Sequence, residues 1–139
     1  MKQTKVYVFG SFDGLHFGHK SFLRQAKQLG HLTVVVARDS NIVIRKGKKP
    51  KFTEEIRLQS ITELRIADKV MLGQEGNKFD LLKTEPIDII CLGYDQFRDE
   101  EALKRLLNEL SRTIKISRAK PFLPIIFKSS RLKRFRLIK

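Results

Sequence analysis

Three features of the sequence predict an α/β class fold: a single domain with a five-stranded parallel sheet flanked by helices. Several short runs are apolar along their whole length, as strands covered on both faces must be. Helix-patterned segments lie between them, which supplies the crossovers that parallel pairing requires. The stretches richest in chemically active side chains follow the first, second and fourth strands, at residues 10–19, 37–51 and 93–97. Ligands of open parallel sheets bind at those carboxyl ends.

The elements follow in order. Residues 6–9 are a buried strand closed by Gly10, and residues 17–29 form a helix with Phe22, Leu23, Ala26 and Leu29 at helical spacing and Gly30 as its stop. The valine-rich run 32–37 is the second strand. Thr53 caps a helix whose first turn holds Glu54 and Glu55 and which turns Leu58, Ile61 and Leu64 inward. Residues 69–72 are a third strand before Gly73, 79–83 a short helix, and 87–92 a fourth strand ending at Gly93. Residues 99–110 are an amphipathic helix with Leu103, Leu106, Leu107 and Leu110 on one face. Residues 114–116 supply a fifth strand, and the segment from Ser129 reads as a basic helix.

The 139 residues suit one domain spanning 1–139. No run approaches the roughly 20 apolar residues of a spanning helix, and residues 1–5 lack the apolar core of a signal peptide. With the single Cys91, which reads as a buried strand residue, the expectation is a cytoplasmic protein without a membrane partner. The formal charge of +14 is uneven: residues 111–139 hold ten Lys or Arg and no acid. A second cluster, Arg45-Lys46-Gly47-Lys48-Lys49-Pro50-Lys51, reads as a loop. Such clusters attract nucleic acid, anionic lipid or the phosphates of a small ligand. A nucleic-acid-binding module built on the basic tail is the non-enzyme alternative, but no recognised nucleic-acid motif accompanies the charge.

Residues 10–19 carry the most specific signal. Gly10 and Gly14 let the chain turn sharply out of the first strand, and Gly18 leaves space at the helix start. Helix starts offer unpaired N–H groups and a partial positive charge, which suit a phosphate. His16 and His19, three apart, lie on one side of this entry and are placed to donate to the same phosphoryl group. A zinc site is the other reading of a histidine pair, but no third ligand stands at a recognised spacing. His31 reads as a turn or surface residue, and Asp68 as closing a turn.

Gly10-Ser11-Phe12-Asp13-Gly14-Leu15-His16-Phe17-Gly18-His19 resembles the G-[ST]-F-D-x-x-H-x-G-H signature of the cytidylyltransferase-like nucleotidyltransferases. Ala37-Arg38-Asp39, Lys46-Gly47-Lys48-Lys49-Pro50, Gly93-Tyr94-Asp95-Gln96 and Lys128-Ser129-Ser130-Arg131 follow in the order of the archaeal-type FAD synthases, which are FMN adenylyltransferases. The resemblance implies a Rossmann-like domain that joins a nucleoside triphosphate to a phosphate-bearing acceptor and releases pyrophosphate. ATP with FMN is the preferred pair; CTP with glycerol 3-phosphate or another polyol phosphate is the alternative. It also implies Mg²⁺, or another divalent cation, bridging the phosphates, and it allows a homodimer.

Carried over by position, His16, His19 and Lys46 become the catalytic residues, with Lys46 reaching the α-phosphate and the acceptor phosphate from a mobile loop. Gly10, Ser11, Phe12 and Gly18 would line the triphosphate, with Ser11 and Phe12 contributing main-chain contacts. Asp13 would orient the loop or a metal-bound water, and Asp95 would lie by ribose and base. Lys128, Ser129, Ser130 and Arg131 would hold the β- and γ-phosphates. Arg57 is expected near the nucleotide, its plainer reading being an ion-pair partner of Glu54. Arg118 and Phe122 are the expected acceptor contacts, because residues 117–124 are longer and more apolar than the matching segment of the glycerol-3-phosphate enzymes. No protein side chain is assigned to a metal.

Overall fold

The computed structural model describes residues 3–94 and 96–121. Five strands, β1 (Lys5–Gly10), β2 (His31–Val36), β3 (Lys69–Leu72), β4 (Ile89–Leu92) and β5 (Lys115–Arg118), form one sheet in the order β3-β2-β1-β4-β5. Every neighbouring pair is parallel. The helices are α1 (Phe17–Lys27), α2 (Asp39–Lys46), α3 (Glu54–Leu64) and α4 (Phe97–Leu110), with a short 3-10 helix at Lys78–Lys83. The α/β class and the five-stranded parallel sheet are as the sequence predicts.

Alternation along each strand sorts the core into two layers. Val6 and Val8 of β1 pack with Leu23 and Ala26 of α1 and Ile61 of α3 on one face. Tyr7 and Phe9 point the other way, into Phe79 and Leu82 of the 3-10 helix and Leu103 and Leu107 of α4. Both faces are covered, which explains why the strands read as continuous apolar runs. Each fully buried Leu, such as Leu23 and Leu103, contributes roughly 1.5–3 kcal/mol relative to exposure.

Two expectations change. The basic stretch at 45–51 is a loop only from Gly47 onward, because residues Asp39–Lys46 form α2. Asp39 in its first turn and Arg45 and Lys46 in its last suit the helix dipole, and Gly47 ends it in the left-handed conformation. Its only buried residue is Ile42, so it carries no apolar stripe that a search for helical spacing detects. Gly10 is required for a different reason than a turn. A Cβ there would stand 2.8 Å from the Phe12 ring, so the glycine makes room for an aromatic side chain. The basic helix expected from Ser129 lies outside the described residues.

The chain order places the topological switch at β1. Connections from β1 lead first to β2 and β3, and the chain then returns across the sheet to β4 and β5. The loops after β1 and β4 therefore diverge and open a crevice between them.

Candidate active site

The loop after β1 is held in shape by its own residues. Phe12 takes a left-handed backbone conformation (φ 52°) that is uncommon for a residue other than glycine. It is compensated by burial, since the Phe12 ring lies in the core beneath the loop and meets His19 edge-on at 5.5 Å. Gly14 makes the next reversal at φ 89°. The loop delivers His16 to the N-cap of α1.

The two histidines cap this helix reciprocally. His16 Nδ1 accepts from the Gly18 amide at 3.0 Å, and His19 Nδ1 accepts from the His16 amide at 3.3 Å. An imidazole nitrogen that accepts is unprotonated, so in each neutral ring the proton sits on Nε2. The cap thereby fixes both tautomers, with a proton on each Nε2, and both rings line the cleft. The rings stack with centroids 3.8 Å apart and planes 27° apart. Two imidazolium ions at that separation would repel. Burial first, and the neighbouring His16 second, hold His19 below the usual histidine range. Gly18 is part of the device, because a Cβ there would come within 2.8 Å of His16 Cε1.

Arg57 and Asp13 fasten the surrounding loops. Arg57 is 1% exposed. Its Nη1 donates to the carbonyls of Ser11 (2.9 Å) and Ala37 (2.8 Å), its Nε to that of Phe52 (2.9 Å), and its Nη2 to the Asp39 carboxylate (2.6 Å). Arg57 is therefore a brace beneath the site, and its charge is matched by Asp39. The plainer alternative, an ion pair with Glu54, does not form: Glu54 accepts from Arg38 and from the Asp39 amide. Asp13 accepts from the amides of Lys51 and Phe52, at 2.8 and 2.9 Å. Its burial opposes ionisation, but these two amides and the charges of Arg57 and Lys46 outweigh it and hold the carboxyl below its usual range. Asp13 thus orients the loop. Asp39 and Asp13 clamp the two ends of the segment that carries Arg45 and Lys46.

The cleft runs over the carboxyl ends of all five strands. One lobe, about 510 Å³, is lined by His16, His19, Phe22, Gly93, Tyr94 and Lys120. An adjoining space of about 390 Å³ joins His19 to Ser11, Asp13, Lys46 and Gln96. It continues past Arg45 toward Asn41, Gly73, Gln74 and Lys78. Gln96 closes the β4 end of the crevice: its Oε1 accepts from the Gly93 amide at 2.6 Å, and its Nε2 donates to Asp99 at 2.9 Å.

The structure thus brings together Gly10, Ser11, Phe12, Asp13, Gly18, His16, His19 and Lys46, with Arg57 behind them. It does not bring Arg118 to Lys46. Arg118, on edge strand β5, donates to the Gly93 and Tyr94 carbonyls and pairs with Glu100. Asp95, Phe122, Lys128, Ser129, Ser130 and Arg131 lie outside the described residues. The sequence marks Arg45 only as part of a basic cluster and gives no sign of Asn41, Lys78 or the carboxyl end of β3 as site residues. For Arg45 a signal was present in the Gly47 helix stop; for Lys78 nothing in the local pattern marks it. Cys91 is no candidate nucleophile, because burial pushes its thiol up to about 11. Among the described residues no helix is long and apolar enough to cross a membrane.

Comparison with known proteins agrees with this geometry. The cytidylyltransferase-like family model matches residues 7–135. An FAD synthase of Thermoplasma volcanium is 45% identical over 115 residues, covering 82% of this chain and 80% of that protein. An FAD synthase of Pyrococcus horikoshii is 37% identical over 139 residues, covering 99% of this chain and 91% of that protein. The crystal structure of a protein described as a lipopolysaccharide core biosynthesis protein, from Thermoplasma volcanium, matches with a TM-score of 0.79 at 41% identity and covers 88% of this chain and 100% of that one. The family match over residues 7–135, with these relatives, places this chain in the cytidylyltransferase-like family of nucleotidyltransferases.

Proposed function

We propose that this chain is an FAD synthase, which transfers the adenylyl group of ATP to the phosphate of FMN and releases pyrophosphate. The observation that carries the reading is the cleft itself. His19 and Lys46 line one space and His16 the lobe beside it, each imidazole with its Nδ1 engaged by a main-chain amide, in a chain 37–45% identical to proteins named FAD synthase.

On this reading ATP occupies the lobe of His16, Gly18, Gly93 and Tyr94. The family resemblance, rather than the described structure, assigns Asp95 to its ribose and base and Lys128, Ser129, Ser130 and Arg131 to its outer phosphates. Arg118 acts at this lobe, through the turn it holds, and the acceptor enters on the side of Ser11, Lys46 and Gln96. Phe122 as a flavin contact follows from the longer, more apolar segment 117–124, and a homodimer from the family resemblance. A cytoplasmic setting fits the two soluble substrates.

The reaction needs no covalent enzyme intermediate. A phosphate oxygen of FMN forms a bond to the α-phosphorus of ATP while the bond from that phosphorus to the bridging oxygen breaks. The electron pair leaves with pyrophosphate. A dianionic FMN phosphate attacks without a general base, so the chain's task is to position two anions and neutralise their repulsion. Lys46 draws them together. His16 and His19 donate to oxygens on which charge builds, each donor lowering the barrier by roughly 3–4 kcal/mol when preorganised. Mg²⁺, or another divalent cation accompanying ATP, would supply further charge neutralisation during the transfer. Among the described residues no cluster of three or more His, Cys, Asp or Glu could hold it, and Asp13 spends both carboxylate oxygens on main-chain amides.

The test offers purified protein ATP or CTP with FMN or glycerol 3-phosphate, in the presence of Mg²⁺, and measures FAD and pyrophosphate. FAD and pyrophosphate are expected only from ATP with FMN. Turnover only with CTP and glycerol 3-phosphate would replace this reading with a polyol-phosphate cytidylyltransferase.

A further inference from the structure

Arg45 has no part in the reaction as described above, yet it faces the cleft. Consecutive residues leave a helix about 100° apart, so the last turn of α2 aims its two cations at different places. Lys46 lines the space shared with His19 and Asp13. Arg45 lines the neighbouring space under the ends of β1, β2 and β3, with Ser11, Gly73 and Lys78.

The other cations around this space are already matched. Arg38 pairs with Glu54, Arg57 with Asp39, and Lys78 with Asp99. Among the described residues Arg45 pairs with no carboxylate. Its Nη2 instead donates to the neutral hydroxyl of Ser11, at 2.6 Å. A guanidinium carries five N–H donors in a planar fork that fits two oxygens of a phosphate, and a single hydroxyl uses little of that capacity. Ser11 follows β1 directly and lies between Arg45 and the space that Lys46 and His19 share.

We propose that Arg45 binds the phosphomonoester of the acceptor, exchanging the Ser11 hydroxyl for the phosphate oxygens. The inference rests on the reading above, in which a phosphate-bearing acceptor enters on the Ser11 side. Arg45 is then the residue that distinguishes a phosphorylated acceptor from its dephosphorylated form. Once Arg45 turns to the phosphate, the Ser11 hydroxyl becomes a donor to the same group. Lys46, one residue on, takes an oxygen on the His19 side, so the acceptor phosphate is gripped from two directions at the point of attack.

The experiment is a binding comparison that does not depend on turnover. Flavin fluorescence gives Kd for FMN and for riboflavin, which differ only by the phosphate, with the wild type, Arg45→Gln and Arg45→Lys. Arg45→Gln is expected to weaken FMN by roughly tenfold to a hundredfold, the scale of a charge-assisted hydrogen-bonded pair, and to leave riboflavin within about twofold. Arg45→Lys should recover part of the loss. Arg45 is exposed, so the melting temperature should stay near that of the wild type. Equal weakening of FMN and riboflavin, unchanged FMN binding in Arg45→Gln, or a wild type that binds the two flavins alike would each overturn the inference. A wild type that makes no FAD from ATP and FMN, while Arg45→Gln still selectively loses FMN, would overturn the reaction and leave the phosphate site standing.

Discussion

The two ends of the sheet use the same residue types to opposite effect. At the amino end, Asp88 accepts from the Lys5 amide at 2.8 Å, and Asp68 accepts from the Leu32 amide at 2.8 Å and from Lys27 at 2.6 Å. Gly30 lies so close to Thr4 that a Cβ would stand 2.4 Å from its carbonyl oxygen. Donors there are consumed and the chain is closed upon itself. At the carboxyl end, Asp13, Asp39 and Glu54 also turn toward amides and guanidinium groups. Here, however, the acids tie loops to one another, and the histidine pair, Arg45 and Lys46 are left facing the cleft. A carboxylate that caps a strand seals it. A carboxylate that clamps a loop makes the cations on that loop available to an anion.

This contrast is broken most severely at Arg57. Arg57→Met leaves Asp39 and three carbonyls without their donor, and should cost about 3–5 kcal/mol of stability, read from the urea-unfolding midpoint. Turnover should fall with it, since Ser11 and α2 lose their common anchor. An unchanged midpoint would show that the loops hold without the brace.

Next comes the histidine pair. His16→Ala and His19→Ala should each lower FAD formation more than about a hundredfold, with a much smaller change in stability. Near-normal turnover in either variant would remove that ring from the chemistry.

Acid sharpens the comparison more gently. Because the fold lowers the His19 pKa, the unfolded chain binds that proton more readily. The stabilising contribution is complete above about pH 6.5 and is lost as pH falls from there through the lower folded value. Protonation at Nδ1 also destroys the acceptor for the His16 amide. Asp13 follows the same direction at lower pH: its contribution is present above about 3.8 and lost as pH falls through its depressed value. Urea titrations of wild type and His19→Asn between about pH 7.5 and 5, a window reaching roughly one unit above and one and a half units below the usual histidine value, should converge toward acid. Parallel curves would deny the linkage.

The smallest effect belongs to the closed end. Lys27→Gln removes an exposed ion pair and should cost about 1 kcal/mol or less, with FAD formation unchanged. A fall in turnover would mean that the amino end is not separate from the site.

Much of this architecture was legible in one dimension. The strands and α1, α3 and α4 announce themselves through apolar patterning and caps, and the loop 10–19 through its glycines and histidines. The second helix escaped because Ile42, Val43 and Ile44 are consecutive rather than spaced, and only Ile42 is buried. Arg57 was recognised as a site residue but not as a buried one, because nothing local distinguishes an arginine with four protein acceptors from one that meets a ligand. Arg45 was seen only as charge.

The sequence by itself determined the α/β class, the parallel sheet and the glycine- and histidine-bearing loop after its first strand, because periodicity, glycine placement and motif spacing are properties of neighbouring residues. Tertiary structure alone decided what the side chains of that loop are bound to. The Arg57 bonds join residues 46, 20 and 18 positions apart, and the Asp13 clamp spans 38. Burial and hydrogen bonding across such distances fix which acids are engaged by the loops and leave Arg45 and Lys46 lining the cleft at the carboxyl end of this sheet.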